Sequence, residues 1–426
     1  MANKARERSE PENETTRESV GGRMHLPAVL RMFWAWSLAA FGLMVLVAYV
    51  EYRMGEPLWQ YNPLGNRRHE DLLQFLPLYR LVHTAAFYTG LYRVSYPPFG
   101  AVIYGVIYWT KHPVLLYRSV AAVWLAAGVC GVRHAMVKQG MGGVTATLFP
   151  VTLVLVSFPI AGLLQQGNME MFMWILAAVG TWLFLRGHDN WAAVLWGLAA
   201  AVKLFPAILL WLLLPRRWRA FGLGVAVFVL ATVLSLQWLG PTMAVAWHGS
   251  LANVFGYQGA RVSELSWHEL AANHSVFGLA RIMVLLAGKS PAKLPLPYYA
   301  CGAVLMGLAF FGRLWKMPVA NQLLAVTAFM VMFPPISYFY TLVHLYSPFL
   351  VLVFLAIREE REGVRIRGLR GTLMLFVPIL ASFTVFTYPA VLLYGGLVQA
   401  ILLPLLLMCA LQYPFAMVGR KPARDE

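Results

Sequence analysis

Apolar runs of 13 to 25 residues follow one another between residues 33 and 412, separated by short polar connections. A helix needs about 20 apolar residues to cross the hydrocarbon core of a bilayer, so the pattern predicts membrane helices rather than a soluble core. The runs fall at Phe33–Val50, 98–110, 114–132, 144–163, Met169–Leu185, Trp191–Pro215, 221–238, 297–312, 320–332, 344–357, 372–388 and 391–412. They imply an all-α, polytopic transmembrane helical bundle of about 10 to 13 membrane segments, some of them half-helices. One run differs from the rest. In AAVLWGLAAAVKLFPAILLWLLLP (Ala192–Pro215), Lys203 is the only charge. A charge at bilayer depth is costly, so it usually faces a polar cavity or an anionic partner. Pro206 removes a backbone donor and clashes with the preceding turn, so two half-helices should meet near Lys203.

The polar connections orient the bundle. Basic residues gather in PRRWRA (215–220), REEREGVRIRGLRG (358–371) and GRKPARDE (419–426), the signature of cytoplasmic loops. Six basic residues before Phe33 place the N-terminus on the same side. The expected organisation is a cytoplasmic tail at 1–31, a transmembrane domain at 32–418 and a second tail at 419–426. Two polar, aromatic-rich outer loops are expected at 51–96 and 239–296, the second carrying an interfacial helix at Val276–Ala287. Trp191–Pro215 then starts and ends inside, with Lys203 at its tip. Three apolar runs (98–110, 114–132, 144–163) lie between two points assigned to the outer side. An odd number of crossings cannot join them, so one of the three should not span.

Composition confirms the class and removes rivals. Of 426 residues 60% are hydrophobic and only 12% charged, about half the charge of a soluble domain. The excess of 34 Lys and Arg over 18 Asp and Glu would raise nucleic acid as a partner in a soluble chain; here it sits in membrane-flanking loops, and no nucleic acid is expected. Cys130, Cys301 and Cys409 lie in separate apolar runs, with neither disulfide nor metal spacing, and read as packing residues. No Walker loop, HExxH or GxSxG motif is present.

The carboxylates can be counted out. Seven of them, Glu51, Glu56, Glu70, Asp71, Glu170, Glu264 and Glu269, fall near the expected outer face. Glu70 and Asp71 open HEDLLQFLPLYRLVHTAAFY, an amphipathic stretch with Leu72, Phe75, Leu76, Tyr79 and Val82 on one face. The pair are candidate catalytic carboxylates; the plainer alternative is that they cap this helix. Arg80, on its polar side, is a candidate substrate contact. QQGNMEM (165–171) puts Gln166 and Asn168 at the end of a run, either as ligands for sugar or phosphate or as ordinary helix caps. Tyr338 and His344 crowd a Pro-Pro turn, and Asn273, His274 and Arg281 precede or occupy the interfacial helix. Each is a candidate substrate contact with a packing or anchoring alternative.

Five segments in order carry a resemblance: DLLQFLPLYRLVHTAAFYTGLYRVSYPPFGAVIYG (71–105), QGNMEMFMWIL (166–176), WGLAAAVKLFPAILLWLLLPRRWRA (196–220), NHSVFGLAR (273–281) and PPISYFYTLVHLYSPFL (334–350). Over roughly residues 33 to 358 the chain resembles glycosyltransferase family 87, membrane enzymes of GT-C type that use polyprenyl-phosphate-linked sugars, mannose in characterised members. Gln165 replaces a usual Gly of that family, His274 a Gln, and Pro334 and Tyr338 a Ser and a Trp. The resemblance implies hexosyl transfer from a polyprenyl-phosphate donor to a lipid or glycan acceptor, by inversion, at the outer face of a multi-pass cell membrane protein. Asp71 matches the Asp that opens the family's first-loop motif and would be the general base; Lys203 would contact the leaving phosphate. No cofactor or resident metal is expected beyond the donor as co-substrate, and dependence on a divalent metal stays open. The alternative class is a transporter or lipid-linked-sugar flippase in which Lys203 binds an anionic cargo.

Overall fold

Proline and polar punctuation divides the apolar runs into helices of very unequal length. The computed structural model describes residues 25–53, 69–89, 94, 96–215, 217–263, 273–291, 294–381 and 395–416. Its helices are α1 (Ala28–Arg53), α2 (Glu70–Leu73), α3 (Pro98–Trp109), α4 (Pro113–Lys138), α5 (Gly143–Leu155), α6 (Phe158–Gln166), α7 (Glu170–Leu185) and α8 (Asp189–Val202). They continue as α9 (Trp218–Leu239), α10 (Met243–Ser263), α11 (Val276–Leu286), α12 (Pro295–Gly312), α13 (Val319–Met332), α14 (Tyr346–Glu362), α15 (Leu369–Phe376) and α16 (Gly395–Gln412). Among the described residues there is no strand, only an isolated bridge between Asn273 and Tyr338. The chain is an all-α, polytopic helical bundle.

Among the described residues, four segments are long and apolar enough to cross a membrane alone: Pro113–Lys138, Trp218–Leu239, Pro295–Lys316 and Phe339–Glu362. A fifth would be α5 with α6, bent by 54°. The bend sits at Ser157, which is extended and caps the new helix by accepting from Ile160 N at 3.1 Å, while Pro159 starts it without needing a donor. The remaining apolar helices are shorter, at 10–17 residues. Many of the expected membrane segments are therefore partial helices.

The parity problem bears first on α3. Twelve residues make it about 18 Å long, too short for a core of about 30 Å. It begins beside the Lys203 junction, where a Cβ on Gly100 would lie 2.8 Å from the Val202 carbonyl oxygen. It ends beside Trp238, the penultimate residue of α9. Of the three runs it is the one that forms a single helix too short to span; α4 is long enough alone, and α5 with α6 only as a bent pair.

α8 and the 3-10 segment Phe205–Leu213 form the hairpin that the lysine-proline break predicts, with the turn at Lys203 itself rather than at Pro206. Its open end is closed by Arg217 Nε donating to Asp189 Oδ2 at 2.7 Å. α9 lies close against α8, since a Cβ on Gly197 would stand 2.4 Å from the Gly224 carbonyl oxygen; such contacts are typical of small residues between membrane helices. Beneath the hairpin, α13 is buried on every side. Its polar Asn321 is satisfied by donating to the Ala410 carbonyl at 2.7 Å.

Four expectations change. The first helix begins at Ala28, inside the expected tail. The amphipathic stretch after Glu70 is not one helix: Pro77 ends α2's direction and starts a 3-10 segment, Leu76–Leu81. A 3-10 repeat of about three residues brings Leu72, Phe75 and Leu78 inward and leaves Leu76 exposed. Residues 243–263, expected as outer loop, are helical; no proline interrupts the chain between Pro241 and Pro291. Cys130 and Cys301 are exposed on long helices rather than packed. Most of both expected tails, the loop residues 54–68 and 264–272, and the turn around Tyr388 lie outside the described residues.

Candidate active site

Gly167 makes the site possible. It ends α6 in the left-handed conformation (φ +66°), and a Cβ there would meet Leu72 Cβ at 2.9 Å and His69 Cβ at 3.1 Å. The bare backbone lets α2 seat directly on the end of α6, where His69 N donates to Gln165 O at 3.2 Å. Arg118 Nε donates to His69 Nε2 at 3.2 Å, so that ring nitrogen is an acceptor; burial, then the nearby guanidinium, hold the imidazole below its usual pKa range. Gly167→Ala is expected to destabilise the fold by about 1 to 3 kcal/mol, from the left-handed backbone and the crowding together. Thermal unfolding in detergent measures this, and an unchanged midpoint would refute the seating.

Asn168 then joins two carboxylate-bearing elements. Its Nδ2 donates to Asp71 Oδ2 at 2.7 Å, and its Oδ1 accepts from Glu170 N, the first residue of α7, at 2.9 Å. The Tyr117 hydroxyl shares its one proton between the Leu163 and Asn168 carbonyls, at 3.0 and 3.2 Å. The Tyr104 hydroxyl donates to Asp71 O at 3.3 Å, and Tyr108 to Leu72 O. Asp71 is therefore held through both its backbone and its side chain.

At the next step in the chain of contacts, Lys203 ends α8 in an extended conformation and ion-pairs with Glu170. The other Glu170 oxygen, Oε1, accepts from His344 Nε2 at 2.7 Å. Glu170 is fully buried, His344 nearly so, and the Lys203 side chain is 16% exposed. The rings of Tyr96, Tyr340 and Phe205 stand 5.4, 5.6 and 5.8 Å from the ammonium, within cation–π range. The carboxylate nearest Lys203 is thus Glu170, not Asp71, and the two charges compensate each other at the tip of the hairpin. Asp71, Asn168, Glu170, Lys203 and His344, from four separate parts of the sequence, form one continuous hydrogen-bonded set.

The remaining candidates fall elsewhere. Gln166 is buried in the last turn of α6. Asn273, His274 and Tyr338 belong to a clasp between the start of α11 and the Pro-Pro turn. Asn273 Nδ2 donates to Pro335 O at 2.8 Å, Ser337 N to Asn273 Oδ1 at 3.1 Å, and His274 N to Ser337 O at 2.9 Å. His274 Nε2 also meets Ser337 Oγ at 3.0 Å and Thr341 Oγ1 at 3.2 Å. Burial pushes this imidazole down to about 3, so it serves the clasp as a neutral ring. The clasp sets the start of the 3-10 segment Phe339–Leu345, which delivers Tyr340 and His344 to Lys203 and Glu170. Arg281 is 1% exposed, on the protein side of α11 rather than on a lipid face. Arg80 is exposed on the far side of the 3-10 segment Leu76–Leu81, lining a separate groove. The Glu70 side chain lies outside the described residues.

Glu170 is the residue that sequence reasoning passed over. It stood among the seven outer carboxylates and in the first turn of a helix, where an acid is unremarkable. The signal was Lys203 itself, since a lysine at membrane depth requires an acid, and Glu170 is the one carboxylate inside an apolar run. Among the described residues no three His, Cys, Asp or Glu gather as a metal-ligand cluster.

The family model of glycosyltransferase family 87 matches residues 95–335. The matched span contains Tyr96, Asn168, Glu170 and Lys203; Asp71 and His344 lie beyond its ends. Comparison with curated proteins and with solved structures gives no match.

Proposed function

The chain belongs to glycosyltransferase family 87, and from that premise we propose that it transfers a hexose, mannose by family likeness, from a polyprenyl-phosphate donor to a lipid or glycan acceptor. The observation that supports this most is the Asp71–Asn168–Glu170–Lys203 connection, which brings an acid and a cation, remote in sequence, to one place in the bundle. Asp71 takes the proton of the acceptor hydroxyl as that oxygen attacks the anomeric carbon. The bond from this carbon to the phosphate oxygen breaks on the opposite face, and polyprenyl phosphate leaves with the electron pair, inverting the centre. A base so positioned contributes about 100- to 10,000-fold.

Lys203 sits where the leaving phosphate gains charge. Glu170 already takes one of its three donors and offsets its charge. Its contribution is then a fixed hydrogen-bond donor in a partly dry setting, weaker as a bare electrostatic attractor than an unpaired lysine. The basic loops at 215–220 and 358–371 support a cytoplasmic position for the Arg217 end of the hairpin. The site is then in the outer half of the cell membrane.

Reconstitution of the purified chain in vesicles with radiolabelled polyprenyl-phosphate hexoses and membrane lipid extract tests the reading. The expected result is label in a new glycoside together with free polyprenyl phosphate. Label that crosses the bilayer with its original bond intact would overturn it in favour of a flippase.

A further inference from the structure

A concavity lies apart from the Asp71–Lys203 set. A groove of about 590 Å³ opens between α3, the 3-10 segment Leu76–Leu81 and the end of α9, lined by Arg80, His83, Tyr79, Tyr108, Trp109 and Trp238 with apolar neighbours and no acid. It exists because residue 105 is glycine: a Cβ there would meet the Trp238 ring at 2.9 Å and the Tyr79 ring at 3.0 Å. Arg80 is exposed and makes no ion pair or side-chain hydrogen bond with any described residue. His83 is held at φ +70°, a conformation that a non-glycine residue adopts only under constraint. Its N–H donates to Leu239 O at 3.0 Å, and its ring meets Trp238 edge-on at 5.6 Å.

The depth of the groove follows from α9. Its 22 residues give about 33 Å, enough to cross a core of about 30 Å. As a membrane span, α9 sets Trp238, its next-to-last residue, at headgroup level. Trp109, 69% exposed, meets it edge-on at 5.7 Å, and paired indoles are characteristic of that layer. A guanidinium presents a planar fork that matches a phosphate with two parallel hydrogen bonds.

We propose that this groove binds the headgroup of an anionic phospholipid of the surrounding bilayer, with Arg80 on the phosphate and the tyrosine and tryptophan rings against the glycerol. One of those rings reaches the active site from behind: Tyr108 donates to the carbonyl oxygen of Leu72, the residue after Asp71. Lipid composition would thereby act on the support of Asp71. The binding itself does not depend on the transferase reading.

The test is native mass spectrometry of the full chain released from nanodiscs holding equal phosphatidylglycerol and phosphatidylcholine. Wild type is expected to retain phosphatidylglycerol preferentially. Arg80→Ala should lower that preference about tenfold, the worth of a charge-assisted hydrogen bond. Gly105→Leu, which fills the groove and keeps the charge, should lower it as well. Retention unchanged in both variants overturns the site. Displacement by millimolar inorganic phosphate would overturn the lipid source, and displacement by polyprenyl phosphate would reassign the groove to the co-substrate.

Discussion

Asp71→Asn is expected to reduce turnover by about 100- to 10,000-fold with little change in the unfolding midpoint. Asn is isosteric, and its Oδ1 can still accept the hydrogen bond that Asn168 Nδ2 now gives to Asp71 Oδ2. The Tyr104 contact is to the backbone carbonyl, which the substitution leaves alone. What is lost is the capacity to take a proton. Initial rates and thermal unfolding, measured on the same detergent preparation, separate the two effects. Full turnover in the variant would remove Asp71 as the base, whereas a large fall in stability would make it a structural residue. Asn168→Ala is a useful companion: it keeps the carboxylate and removes its tether, so it should lower turnover less than Asp71→Asn does.

The same residues show which signals the sequence carries by itself. Helix content and the Lys203 break were legible because apolar periodicity, a lone charge and a proline are local signals. The basic loops were legible for the same reason. The 3-10 path after Pro77 was not, because apolar spacing from Leu72 to Val82 fits a helical face until the proline forces a shorter repeat. Contacts across the sequence were also hidden. Nothing near Asn273 announces that it clasps Pro335, or that His274 is neutral and internal. The short motifs retained from the family order do include the right segments. Yet the sequence could not separate residues that meet at Lys203 from residues, such as Asn273, that hold the scaffold behind it.

The second large effect concerns stability. Glu170→Gln leaves Lys203, whose side chain is 16% exposed, without its counter-charge, and Lys203→Met leaves a fully buried carboxylate with only His344 beside it. Breaking one side of a buried pair costs about 3 to 5 kcal/mol, whereas removing both charges together is often neutral or even stabilising. Each single variant should therefore unfold well below wild type, and Glu170→Gln combined with Lys203→Met should recover most of the loss. Unfolding midpoints of the four proteins in one detergent close the cycle. Strictly additive losses would mean that the two groups are not coupled and do not pair at the junction. If the double variant is stable yet inactive, the ion pair is dispensable for folding, and its retention at the tip of a membrane hairpin follows from the chemistry that Lys203 performs there.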